Sequence, residues 1–146
     1  MERLLKQVLD EAPDAILISD REGIIRFWNS GAQRLFGHTP AEALGKSLDL
    51  IIPENIRNRH WEGYRRVMAS GESNYKTKLL SSPGIRKDGS RISLEFSMVL
   101  LHDEAGGMQG CGSIMRDVTH RWNREKELKE RLAACEGRAA GTARPL

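Results

Sequence analysis

The segment RISLEFSMVLLH, residues 91–102, constrains the fold of this chain most. Ile92, Leu94, Phe96, Met98 and Leu100 fall on one face of it, and Ser93, Glu95 and Ser97 on the other. A period of two marks a strand with one buried face. Such a strand needs neighbours at its edges and a cover for its apolar side. Asp88-Gly89, just before it, is a strong hairpin turn. YKTKLLSSPGI (75–85) is therefore predicted as a strand paired on one side. After the DEAGG turn, MQGCGSIMRDVT supplies a strand on the other. AILISD (15–20) and GIIRFWN (23–29), joined by DREG, read as a second hairpin.

The cover comes from the middle of the chain. Ala32, Leu35 and Phe36 fit a short helix ended by Gly37. TPAE (39–42) is a capping-box start with Pro40 at the first helical position, and Gly45 stops that helix. A longer helix is predicted from Pro53 to Gly71, with the inward stripe Ile56, His60, Gly63, Tyr64 and Val67. The economical solution is an α+β domain: one antiparallel sheet with a helical segment folded over one face. Helices flank it. Leu4, Leu5, Val8 and Leu9 are spaced helically over residues 1–12, which Pro13 ends. Trp122, Leu128, Leu132 and Cys135 are sparse and roughly heptad-spaced over 120–138, the pattern of a helix that needs a partner. The predicted organisation is a flanking helix (1–12), a domain (13–119), a signalling helix (120–138) and a disordered tail (139–146).

Composition bounds the function. The chain has 146 residues, 39% apolar and 29% charged, and a net charge of +3. Its basic residues are mixed with acids, as in RWNREKELKER, whereas a nucleic-acid footprint needs a stripe of one sign. No apolar run approaches the roughly 20 residues that span a membrane. The N-terminus has no signal-peptide core, so a cytoplasmic protein is expected. Cys111 and Cys135 lie far apart and in no ligand spacing. No paired-carboxylate motif, phosphate loop or nucleophile elbow appears, which argues against an enzyme. His60 is the residue out of place, an imidazole on a stripe that should be apolar.

With these residues in view, the sequence resembles the PAS domain family. APDAILISDREGIIRFWNSGAQRLFGHTPAEALGKSLDLIIP follows the family's N-terminal pattern, with W-N-x-x-A-x-x-L-F-G and E-x-x-G. RKDGSRISLEFSM follows its central hairpin, and GSIMRDVTHRWNREKEL its G-x-x-R-D-I-T end and signalling helix. The resemblance implies a five-stranded sheet with a cleft between it and the short helices. It also implies a role in sensing or docking. At the D-V-T step, Asp117 and Thr119 take the family's relay point between sheet and exit helix. The same resemblance implies a homodimer through the flanking helices and a signalling partner protein.

The cleft's ligand is argued from the site. The flavin photosensor branch needs a reactive cysteine on the short helices, where this chain reads SLDLIIPENIRNRH. That branch's glutamine falls at Met115. RNRHWEGYRR resembles the motif R-x-R-H-x-x-Y-I-x-R of rhizobial oxygen-sensor kinases, which bind haem. The match makes His60 the metal ligand and Arg66 a propionate contact for haem b. Tyr64, Ile56, Leu80, Leu94, Phe96, Met98 and Met115 complete the expected pocket, with Met115 as a wall or a sixth ligand. The oxygen-sensing families carry an arginine where a gap-free alignment places Leu80, and a redox-switching relative has a methionine at the place of Lys78. A haem here would accordingly suit carbon monoxide, nitric oxide or redox sensing better than oxygen. Three readings stay open: a haem sensor, a cofactor-free interaction and dimerisation module in which His60 is merely packed at the cleft edge and Arg66 is solvated, and a sensor of flavin or a small metabolite.

Overall fold

Short turns at glycines and a capped helical segment shape the chain. The structure, a computed structural model, describes residues 1–73 and 78–142. Helix α1 (Glu2–Glu11) leads into strands β1 (Ala15–Asp20) and β2 (Ile25–Trp28). Helices α2 (Ser30–Phe36) and α3 (Pro40–Ala43), two 3-10 turns and helix α4 (Arg57–Ser70) follow. Strands β3 (Leu80–Ile85), β4 (Arg91–His102) and β5 (Met108–Asp117) complete the sheet, and helix α5 (Thr119–Thr142) leaves it. The order across the sheet is β2-β1-β5-β4-β3, with every pairing antiparallel.

Local sequence explains the elements. Thr39 and Glu42 form the predicted capping box around Pro40. Gly37 and Gly71 end α2 and α4 in the left-handed conformation, at φ 87° and 68°. The β1–β2 turn needs Gly23 twice over: its φ is +79°, and a Cβ there would stand 2.2 Å from the Trp61 ring that packs on it. The alternation of β4 is realised, with Ile92 and Leu94 both 4% exposed in a core shared with Leu17, Ile25, Phe36 and Met115.

One buried polar side chain holds the N-terminal half together. Asn29 is 1% exposed, and its amide is fully used. Oδ1 accepts the backbone N–H groups of Ile16 and Ala32, each at 2.8 Å, and Nδ2 donates to the carbonyls of Leu9 (2.8 Å) and Asp14 (3.0 Å). Ser30 donates to the Asp10 carbonyl at 2.5 Å. Two carbonyls in the last turn of α1 are thereby satisfied, as a helix end requires. Helix α1 otherwise buries no residue.

Three boundaries differ from the sequence reading. The strand expected over 75–85 begins at Leu80, which pairs with Phe96; residues 75–77 lie outside the described ones, and Lys78 forms a bend. Pro53 opens a 3-10 turn over Glu54–Ile56, and the α-helix starts at Arg57. The exit helix begins at Thr119 and runs to Thr142, so residues 139–142, assigned above to a disordered tail, continue it. Alanines at 139 and 140 favour that continuation.

Candidate functional site

A cavity of about 500 Å³ lies between α4 and the inner faces of β3, β4 and β5. Of the expected pocket residues it gathers His60, Tyr64, Arg66, Leu80, Phe96 and Met98. Ile56, Leu94 and Met115 are not on its wall. They pack in the main core. Met115 pairs across the sheet with Ala15 and Phe96, and this register turns it towards the α2 side. The sulfur on β5 that does reach the cavity belongs to Cys111, 5% exposed, with Met68 beside it on α4. Burial pushes the Cys111 thiol's pKa up, so it is an apolar wall. Cys111 and Met115 are four apart on one strand and share a face. Strand parity therefore admits both, and only the position of α4 along the sheet selects Cys111.

His60 is half-buried on this wall. Its ring meets Trp61 edge-on at 4.8 Å and tilts against Tyr64 at 5.8 Å. Its Nδ1 is buried and has no hydrogen-bond partner. Burial holds its pKa below 6.5, partly opposed by the charge of Asp49. The ring is thus neutral at pH 7 with a nitrogen uncommitted, the state in which imidazole binds a metal. Asp49 itself accepts the Trp61 indole N–H at 2.7 Å.

Tyr64 is spent elsewhere. Its hydroxyl donates to the Asp20 carbonyl and lies 2.9 Å from Ser19 Oγ, and burial pushes its pKa up to about 12. Its ring remains as cavity wall. The tyrosine of the R-x-R-H-x-x-Y-I-x-R motif is replaced here by Gly63, with Tyr64 one place on. That shift of about 100° on a helix turns the phenol into the domain.

At the far end of the sheet, the D-V-T step is a latch. Asp117 Oδ1 accepts both the backbone N–H (2.9 Å) and the hydroxyl of Thr119, while Oδ2 accepts from Arg86 at 2.6 Å. Burial raises the Asp117 pKa, but the Thr119 hydrogen bonds and the Arg86 charge outweigh it and hold the carboxyl below its ordinary 3.8. Thr119 Oγ1 accepts the Ser93 N–H at 2.9 Å, and Arg121 pairs with Glu95. The start of α5 is thus tied to the outer face of β4, directly behind Leu94 and Phe96. Sequence reasoning found Asp117 and Thr119; it missed Arg86 and Glu95, whose partners are fixed by register alone.

A groove of about 590 Å³ lies on that outer face, beneath Trp122 and between Ser82, Ser93 and Glu125. It is larger than the His60 cavity, but its lining is mostly serine and charged or polar side chains of β3, β4 and α5. The His60 cavity is the better candidate because it joins an imidazole to an apolar wall. Among the described residues no group of three His, Cys, Asp or Glu side chains could hold a bare metal ion. No helix is long and apolar enough to cross a membrane among the described residues.

Comparison with known proteins agrees with this fold. The family described as PAS fold matches residues 9–122. An uncharacterised protein of Azorhizobium caulinodans is 32% identical over 129 residues, covering 88% of this chain and 17% of its own. Sensor protein FixL of Bradyrhizobium diazoefficiens is 28% identical over 126 residues, covering 86% and 25%. Oxygen sensor protein DosP of Escherichia coli is 24% identical over 122 residues, covering 84% and 15%. The chain therefore spans a quarter or less of these relatives' lengths. A PAS domain of Colwellia psychrerythraea superposes with a TM-score of 0.71 at 23% identity, covering 82% of this chain and 98% of that one.

Proposed function

The chain belongs to the PAS family, a sensory and binding fold related here to sensor proteins, and from that premise we propose that it is a sensory domain whose α4 cavity holds haem b. The His60 imidazole on the cavity wall carries this reading: burial holds it neutral, the form in which imidazole ligates haem iron. The walls fit the group: Val67, Met68, Leu80, Phe96 and Met98 are apolar, and about 500 Å³ lies within the usual range of cofactor sites.

His60 would hold the metal, and Arg66 would meet a propionate at the rim. When bound, haem supplies an iron that takes up a diatomic gas or changes redox state. Leu80 offers that ligand no hydrogen bond. A polarised molecule such as oxygen gains from a donor there, while carbon monoxide and nitric oxide gain less, so the wall favours the latter or redox sensing. Phe96 on the inner face of β4 and Glu95 on its outer face are consecutive residues. Displacement of Phe96 by a ligand tilts the strand that Arg121 and Thr119 grip, which biases α5 through Asp117 and Thr119.

Exposed apolar residues favour a partner. Leu4, Leu5 and Val8 on α1 are 52%, 55% and 66% exposed, and Leu128 and Leu132 on α5 are 54% and 60%. A homodimer through both helices covers them, and a signalling protein reads their arrangement. The same residues support the cofactor-free interaction reading. Reconstitution with haemin separates the two: a Soret band that shifts or vanishes in His60→Ala supports the haem reading. A protein that keeps no Soret band once unbound haemin is removed leaves the interaction module, or a receptor for a flavin or small metabolite.

A further inference from the structure

The cavity side chains of α4 form two ridges. His60, Tyr64, Val67 and Met68 form the inner ridge and are half-buried or buried. Arg59, Gly63, Arg66 and Ser70 form the outer one, along the rim. Arg59 and Arg66 are seven residues apart, close to two turns at about 3.6 residues per turn, so they share one side of the helix. Both are exposed.

Gly63 lies between them in open space. A Cβ at this position meets no atom within 4 Å, and the backbone has no positive φ. Neither a turn nor a close approach demands glycine here, and a mid-helix glycine is destabilising relative to alanine. What its missing side chain does supply is clearance at the rim between the two arginines.

Charge bears on the same rim. Arg26, Arg57, Arg86, Arg116 and Arg121 each pair with a carboxylate, and the other described arginines form no ion pair. Among the described residues, neither Arg59 nor Arg66 forms an ion pair, and Glu72 is the one acidic side chain on the cavity wall. Two uncommitted guanidinium groups at the mouth of an apolar cavity match a ligand whose apolar body enters and whose carboxylates stay at the surface.

We propose that Arg59 and Arg66, separated by Gly63, form a two-arginine lip that selects ligands apolar at one end and carrying carboxylates at the other. This rests on the reading of the cavity as a ligand site and adds Arg59 and Gly63 to it. It does not depend on metal ligation by His60.

The test uses metal-free protoporphyrin, a dicarboxylate, and its dimethyl ester, titrated by fluorescence into the full chain. The diacid binds more tightly than the ester, and salt weakens the diacid alone. Arg59→Gln and Arg66→Gln each weaken the diacid by about twofold to fivefold, as loss of an exposed ion pair does, and leave the ester unchanged. Arg65→Gln, an exposed arginine off the cavity wall, changes neither. Gly63→Leu fills the gap and weakens the diacid. Equal binding of diacid and ester, equal effects of Arg59→Gln and Arg65→Gln, no effect of Gly63→Leu, or no binding of either porphyrin overturns the proposal. The two readings fail separately. A His60-dependent haem spectrum with no arginine selectivity removes the lip alone, whereas arginine selectivity without such a spectrum removes the axial ligand alone.

Discussion

Asn29 and His60 are both polar side chains on or beside helices that cover the sheet, and they are treated in opposite ways. Asn29 is 1% exposed and makes four hydrogen bonds that tie α1, β1 and α2 into one body. His60 is half-buried and leaves Nδ1 with no partner. A buried amide that satisfies every donor and acceptor rigidifies its surroundings. A buried nitrogen left unpaired does not. Arg86 Nε is the other such atom among the described residues, so the contrast distinguishes these two side chains, one fully tied into the scaffold and one on a cavity wall.

The comparison can be broken at several points. The largest effect falls on the scaffold: Asn29→Ala strands two backbone donors and two carbonyls, and is expected to cost about 3–4 kcal/mol in chemical denaturation. A cost under about 1 kcal/mol would remove Asn29 as the hub. Asp117→Ala loses the Thr119 bonds and the Arg86 pair, for about 1–2 kcal/mol, and frees the start of α5. Amide exchange at residues 118–122 should rise; unchanged protection would mean the latch is not at Asp117. Gly63→Ala should stabilise the domain by about 0.5–1 kcal/mol, and any loss would show that the glycine is structural after all. His60→Leu is expected to change the stability of the ligand-free protein by less than about 1 kcal/mol in either direction, because it removes no hydrogen bond of Nδ1.

The pH dependence sharpens the same contrast with a small signal. Burial lowers the folded-state pKa of His60 below 6.5, so the unfolded chain binds that proton more tightly. The His60 contribution to stability is therefore intact above about pH 6.5. It declines as pH falls from there and levels off below the folded-state pKa. Wild type should lose more stability than His60→Leu between about pH 7 and 5. Parallel curves would place the imidazole in solvent.

Much of the fold was legible because it depends on local signals. The alternation of β4, the Asp88-Gly89 turn, the capping box at Thr39 and the glycine stops at 37 and 71 are each written within a few residues. The site was legible in part. Helical periodicity placed His60, Tyr64 and Val67 on the inner face of α4, and strand parity placed Phe96 and Met98 on that of β4. What periodicity does not encode is how far along the sheet a helix sits. That offset exchanges Met115 for Cys111 on the cavity wall and sends Leu94 and Ile56 to the core. Arg86 and Glu95 went unnoticed for a related reason, since their partners come from long-range register.

The central claim is that the His60 imidazole on the α4 cavity wall ligates haem. Its most direct test is the absorption spectrum of the full chain titrated with haemin, beside His60→Ala and Arg65→Gln. The account predicts a saturable Soret band at one haem per chain that shifts or collapses in His60→Ala and is unchanged in Arg65→Gln. An identical band in all three proteins, or no saturable band in the wild type, would contradict it.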